Sequence, residues 1–156
     1  VEIFMEPTGS PVVFIFGAGH IARCVVPLLK LVGLNTVVID DRAEFANRKH
    51  FPDAGEVIVS DFETSFEKVE VAPSSYIIIV TRGHRHDQLL LSKAVETPAS
   101  YVGLIGSRAK ISRICRTLLG EGASRERLER IKAPIGLDIG SRTPEEIAVL
   151  INAPQS

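Results

Sequence analysis

Five loops in this chain carry residue types from which a ligand site could be built. Gly17-Ala18-Gly19-His20-Ile21-Ala22 is a G-x-G-x-x-A run between a short apolar stretch and an amphipathic one. In that setting Gly17 allows a tight turn, Gly19 lets a phosphate approach the backbone beside His20, and Ala22 allows close helix–strand packing. A tight turn with no ligand is the plainer reading. Asp40 follows Gly17 by 23 residues, about where a ribose-binding acid belongs. A carboxylate there accepts from ribose hydroxyls and repels a 2′-phosphate, favouring NAD over NADP, and Arg42 softens that preference. A solvated charge cluster, Asp40-Asp41-Arg42, is the alternative.

The segment Thr81-Arg82-Gly83-His84-Arg85-His86-Asp87 has two histidines and an aspartate that could bind a metal. A tetrahedral structural site usually draws its ligands from two separated segments, so a polar cradle is preferred. Arg82 would take an anion, and His84, His86 and Asp87 would hydrogen-bond a heterocycle or neighbouring loops. Capping of the next helix is the bland role for Asp87. Gly106-Ser107-Arg108 pairs an N-cap serine and free backbone N–H groups with a guanidinium, which suits a phosphate, or serves capping alone. Asp138 lies in a glycine-flanked loop, where it could be functional or pair with Arg142. Thr81 and Gly83 complete the residues assigned to cofactor binding. No residue is assigned to catalysis or to a metal. There is no G-x-S-x-G elbow, and Cys24 and Cys115 fall on core-facing stripes, where a thiol is inert.

These loops need a frame, and the apolar pattern supplies it. Val12-Val13-Phe14-Ile15-Phe16 is short, β-rich and without alternation, as expected of a strand buried on both faces. Further strands are expected at Thr36–Ile39, Val57–Val59, Tyr76–Val80 and Tyr101–Ile105. Between them, Ile21, Cys24, Val25, Leu28, Leu29 and Val32 form one helical face, closed by Gly33. A short helix is expected in 40–49, another helix over His86–Glu96, and one carrying Ile111, Ile114, Cys115, Leu118 and Leu119 up to Gly120 and Gly122. A small helix at Arg125–Arg130 precedes the Pro134–Gly140 loop. Thr143-Pro144-Glu145-Glu146 opens a last helix with a capping box. Alternation of this kind predicts a Rossmann-like α/β fold. It would be a three-layer sandwich around a mainly parallel sheet of five or six strands, with the ligand at the strand carboxyl ends.

Length and composition agree with one domain: 156 residues, 45% hydrophobic and 24% charged. The domain is placed at 12–153, with 1–11 as a Pro/Gly-containing lead, and the chain reads as one piece of a longer protein. A formal net charge of −1 with dispersed basic residues argues against a nucleic-acid partner. The absence of a signal pattern and of a transmembrane-length apolar run argues against a membrane one. Two cysteines make no disulfide framework, so a reducing, cytoplasmic setting is expected.

Taken together the loops resemble one family. F-G-A-G-H at 16–20, D-D-R-x-E-F-A-N at 40–47, F-P-D-A at 51–54, T-R-G-H-x-H-D at 81–87, Y-V-G-L-I-G-S-R at 101–108 and P-I-G-L-D-I-G-x-x-T-P-E-E-I-A-V at 134–149 look like the C-terminal domain of the xanthine dehydrogenase accessory proteins (XdhC/CoxI type). The resemblance covers nearly the whole chain. It implies a maturation factor for molybdenum hydroxylases such as xanthine or carbon monoxide dehydrogenase. Such a factor binds the molybdenum cofactor (molybdopterin type), supports its sulfuration with a cysteine desulfurase and delivers it to the apo-enzyme, a chaperone rather than an enzyme. Family members carry a further N-terminal domain with a cysteine implicated in cofactor handling. A homodimer is expected. Two other readings stay open: an NAD(P)-binding oxidoreductase domain, and a protein-docking module with a vestigial nucleotide pocket.

Overall fold

The computed structural model describes residues 11–132. Residues 1–10 of the expected lead at 1–11, the Pro134–Gly140 loop with Asp138, Arg142, and the capped last helix lie outside the described residues.

Five strands form one sheet: β1 (Val12–Phe16), β2 (Asn35–Asp40), β3 (Glu56–Val59), β4 (Tyr76–Ile79) and β5 (Tyr101–Leu104). Every pairing is parallel and the order is β3-β2-β1-β4-β5. The chain therefore builds outward from β1 in one direction, then returns to β1's other side for β4. That reversal between β1 and β4 is the switch point at which parallel sheets of this kind take their ligands.

Alternate side chains sort to the two faces, as strand pleating requires. Val13, Ile15, Val38 and Ile78 pack with Ala22, Val25, Val26 and Leu29 of α1 (His20–Leu31). Phe14, Phe16, Ile39, Ile77 and Ile79 pack with Leu90 and Leu91 of α2 (His84–Ala94), and with Ile111, Ile114 and Leu118 of α3 (Arg108–Gly120). Both layers of the sandwich are thus closed by apolar stripes. A short α4 (Arg125–Glu129) follows, capped by Ser124. Lys132 then pairs in parallel with Gly103 along the outer edge of β5.

Four details differ from the sequence reading. Past Asp40, which ends β2, the segment expected to hold a short helix forms turns instead. The Asn47 amide donates to the carbonyls of Ala43 and Glu44, and its oxygen accepts the His50 N–H, a local competitor of helical pairing. Val32, expected on the buried face of α1, is 69% exposed, because the helix stops at Leu31 and Val32 is its C-cap. Helix α2 begins two residues earlier than expected, so His84 and His86 belong to its first turn. A 3₁₀ turn at Ser65–Lys68 has no counterpart in the apolar pattern; it brings Phe66 to stack on Phe16, with ring centroids 4.7 Å apart.

Candidate functional site

Strand register brings the scattered loops together. Phe16 pairs with Ile39 on one side and Ile79 on the other, and Ile79 pairs with Leu104. The chain therefore leaves all four strands along one edge, at Gly17, Asp40, Val80-Thr81 and Ile105-Gly106. These are the loops that the sequence singled out.

The first loop is pressed against its neighbours. The Gly17 N–H donates to the Ile39 carbonyl at 2.8 Å. A Cβ on Gly17 would lie 2.7 Å from the Val80 carbonyl oxygen, and its φ is +119°, so glycine is required on both counts. Gly19 is the opposite case: a Cβ there would meet nothing within 4 Å. Its backbone faces open space at the N-terminus of α1, where no side chain caps the helix. His20 beside it is exposed.

Asp40 ends β2 and is 1% exposed. Its Oδ1 accepts from the Arg42 backbone N–H at 3.0 Å and from Arg42 Nε at 2.9 Å; its Oδ2 accepts from the Ala18 N–H at 2.8 Å and from Arg42 Nη2 at 2.9 Å. A carboxylate has about four lone-pair positions, and the chain itself fills them. Burial alone would raise this carboxyl, but the Arg42 and Ala18 donors overcome it and hold it at about 2. Arg42 is fixed in turn by Phe45, with the guanidinium carbon 4.1 Å from the ring centroid. The geometry gives Asp40 a task that the sequence reading did not: it ties the glycine turn to β2. A ribose diol would have to displace Arg42 to reach it. Asp41 is the more open of the two acids, with Oδ1 3.8 Å from Arg42 Nε. Burial and the neighbouring Asp40 push its carboxyl up, while His86 works against them.

Beyond β4, Thr81 and Asp87 are buried. The Thr81 hydroxyl donates to Asp87 Oδ1, and Lys110 Nζ of α3 donates to Asp87 Oδ2. Burial pushes the Asp87 carboxyl up, against the lowering by Lys110 and Thr81. His86 packs on Phe62, with centroids 4.9 Å apart, and His84 is half-buried in the first turn of α2; Arg82 is exposed. The two imidazoles and Asp87 do not converge, and among the described residues no group of three or more His, Cys, Asp or Glu could hold a metal. After β5, the Ser107 hydroxyl caps α3 by accepting the Lys110 N–H at 3.1 Å. Arg108 is exposed beside it.

Lys110 was missed by the sequence reading. Its signal was indirect. Asp87, Leu90, Leu91 and Ala94 make one buried stripe of α2, and an acid on such a stripe needs a cation or a proton. Cys24 and Cys115 are half-buried on their apolar faces, and burial pushes the Cys115 thiol up, the direction that makes a thiol less reactive. No described helix is long and apolar enough to cross a membrane.

A family model, the XdhC Rossmann domain, matches residues 13–154. The chain belongs to the XdhC Rossmann-domain family. It is 31% identical over 155 residues to an uncharacterized protein, YqeB, of Escherichia coli K12, covering 98% of this chain and 28% of that protein. It is 27% identical over 149 residues to a protein of Bacillus subtilis 168 described as a probable subunit of xanthine dehydrogenase, covering 96% of this chain and 42% of the relative. The solved structure of a xanthine dehydrogenase from Bacillus halodurans superposes with a TM-score of 0.79 at 33% identity, over 91% of this chain and 40% of that one. This XdhC domain thus spans well under half the length of the proteins it matches, and its sheet is that of the solved relative.

Proposed function

We propose that this XdhC domain serves in the maturation of a molybdenum hydroxylase of the xanthine or carbon monoxide dehydrogenase type. Its cargo is the molybdenum cofactor, received in concert with a cysteine desulfurase that supplies sulfur and passed to the apo-enzyme, with the working unit a homodimer. The observation that carries this reading is the family match, together with relatives named for xanthine dehydrogenase.

The carboxyl edge of the sheet is compatible with a phosphate-bearing pterin. Gly19 leaves backbone room for a phosphate. The loops after β4 and β5 add the exposed cations Arg82 and Arg108 and the half-buried imidazole of His84. The chain's own part would be to bind and orient the cargo, for which tight turns on a rigid sheet edge suffice.

Anaerobic calorimetric titration with isolated molybdenum cofactor, NAD and NADP tests the binding step. Pterin binding that weakens in Arg108→Ala supports the proposal. Activation of apo-xanthine dehydrogenase by the full-length protein, lost with the same substitution, tests delivery. Binding of NAD alone would replace this reading with a nicotinamide-dependent one, the second reading that the G-x-G-x-x-A turn favours. Filled acceptor positions on Asp40 weigh against that alternative.

A further inference from the structure

The structure assigns Lys110 to the ligand site as its anion-contacting ammonium, held at the carboxyl edge by Asp87 and Thr81 as positioning residues, for a phosphate-class oxyanion on the β4–β5 side. The inference rests on the reading above only in taking the carboxyl edge as the ligand side. It does not depend on which cargo or client is served.

Three observations place the ammonium. Asp87 is 0% exposed, and its two oxygens are engaged by Thr81 and by Lys110. Thr81 lies two residues past the end of β4, so the ammonium is anchored at the carboxyl end of that strand. Second, the lysine stem lies down over the β5 loop. A Cβ on Gly106 would come 3.1 Å from Lys110 Cδ and 3.6 Å from Nζ. Gly106 thus makes room for a side chain that crosses the edge of the site in place of extending into solvent. Third, the Lys110 side chain keeps 24% of its exposure. An ammonium has three donors, and among the described residues Asp87 takes one of them.

Charge selects the class of ligand. The segments 81–87 and 106–110 carry the cations Arg82, Arg85, Arg108 and Lys110 and one acid, Asp87. At the β2 end of the same edge Asp40 and Asp41 outnumber Arg42. An oxyanion is therefore attracted to the β4–β5 side and repelled from the β2 side. The buried pair is also poor as a staple alone, because desolvating two charges offsets most of their attraction. A lysine held in place, with donors left over, is suited to meet an anion as a point charge.

Inorganic pyrophosphate is the probe, read by calorimetry and by the shift in melting temperature. The wild type is expected to bind it. Lys110→Met alone would strand Asp87 and destabilise the fold, so the decisive variant is Asp87→Asn/Lys110→Gln, which removes both charges and retains polar partners. Pyrophosphate affinity should fall at least tenfold in the double variant, and its dependence on salt should become shallower. Lys110→Arg, which keeps the charge, should retain most of the affinity. Equal pyrophosphate affinity in wild type and double variant would overturn the assignment, leaving the pair a structural tie. So would a wild type that does not bind pyrophosphate. Failure of client activation with this binding intact would count against the maturation role and leave Lys110 in place.

Discussion

Replacing Asp40 by asparagine keeps the shape of the side chain and removes its charge, and the consequence can be worked from its surroundings. The carboxyl is held at about 2 against an ordinary 3.8 by Arg42 and the Ala18 N–H. That difference corresponds to about 2 kcal/mol of stability. The sign follows from a depressed folded value. The contribution is complete above about pH 4, where the unfolded chain is also ionised, and is lost as pH falls through about 2. For a domain of this size the loss corresponds to about 4–8 °C in melting temperature. Thermal unfolding followed by circular dichroism between pH 6 and pH 2 is the assay. The gap between wild type and Asp40→Asn should be widest near pH 6 and close as the acid limit is approached. Any constant remainder reports the altered hydrogen-bond geometry of the amide. In Arg42→Ala, Asp40→Asn should cost less, since the two side-chain donors are gone. A gap that stays the same across the whole range would refute the view that an ionised Asp40 ties the glycine turn to β2.

Other perturbations separate scaffold from site. Gly17→Ala forces a Cβ to within 2.7 Å of the Val80 carbonyl at a φ of +119°, and should cost about 3 kcal/mol or more in chemical denaturation. Gly19→Ala meets no atom within 4 Å; its melting should change by less than about 1 kcal/mol, while phosphate-ligand affinity drops because the methyl group occupies the open approach. Asp87→Asn carries the opposite pH sign to Asp40→Asn. A folded carboxyl raised by burial favours the fold below its unfolded value and loses that advantage as pH rises. Denaturant midpoints should therefore fall less on raising the pH from 3 to 7 in the variant than in the wild type. Leu91→Ala empties a fully buried position of the α2 layer and should cost about 2–5 kcal/mol, with ligand affinity per folded molecule preserved.

What could be read from the sequence, and what could not, divides along the range of the interactions. Strands β1 and β4 were legible because a strand buried on both faces is apolar throughout, as Val12–Phe16 and Tyr76–Ile79 are; β2, β3 and β5 were legible from shorter β-rich runs. The edge on which the loops meet followed, since parallel strands share one direction. The Ser107 cap was legible too, being a contact across three residues. Asp40 shows where such reading stops. Its spacing from Gly17 fitted either an acid facing a ribose or a solvated charge cluster, and which of these a carboxylate is depends on every donor around it. Ala18 reaches it from the glycine turn, and Arg42, stacked on Phe45, from a turn that forms where a helix was expected. Lys110 was hidden for the same reason. Asp87 lies 23 residues before it, and only the packing of Leu90 and Leu91 with Ile111 and Ile114 brings α2 and α3 close enough for the pair. The two acids that resemble each other in the sequence thus part in the fold. Asp40 is saturated by its own neighbours and holds the turn, whereas Asp87 is buried and paired with Thr81 and Lys110. Of the two acids, Asp40 is thus the one whose acceptor positions its own chain fills.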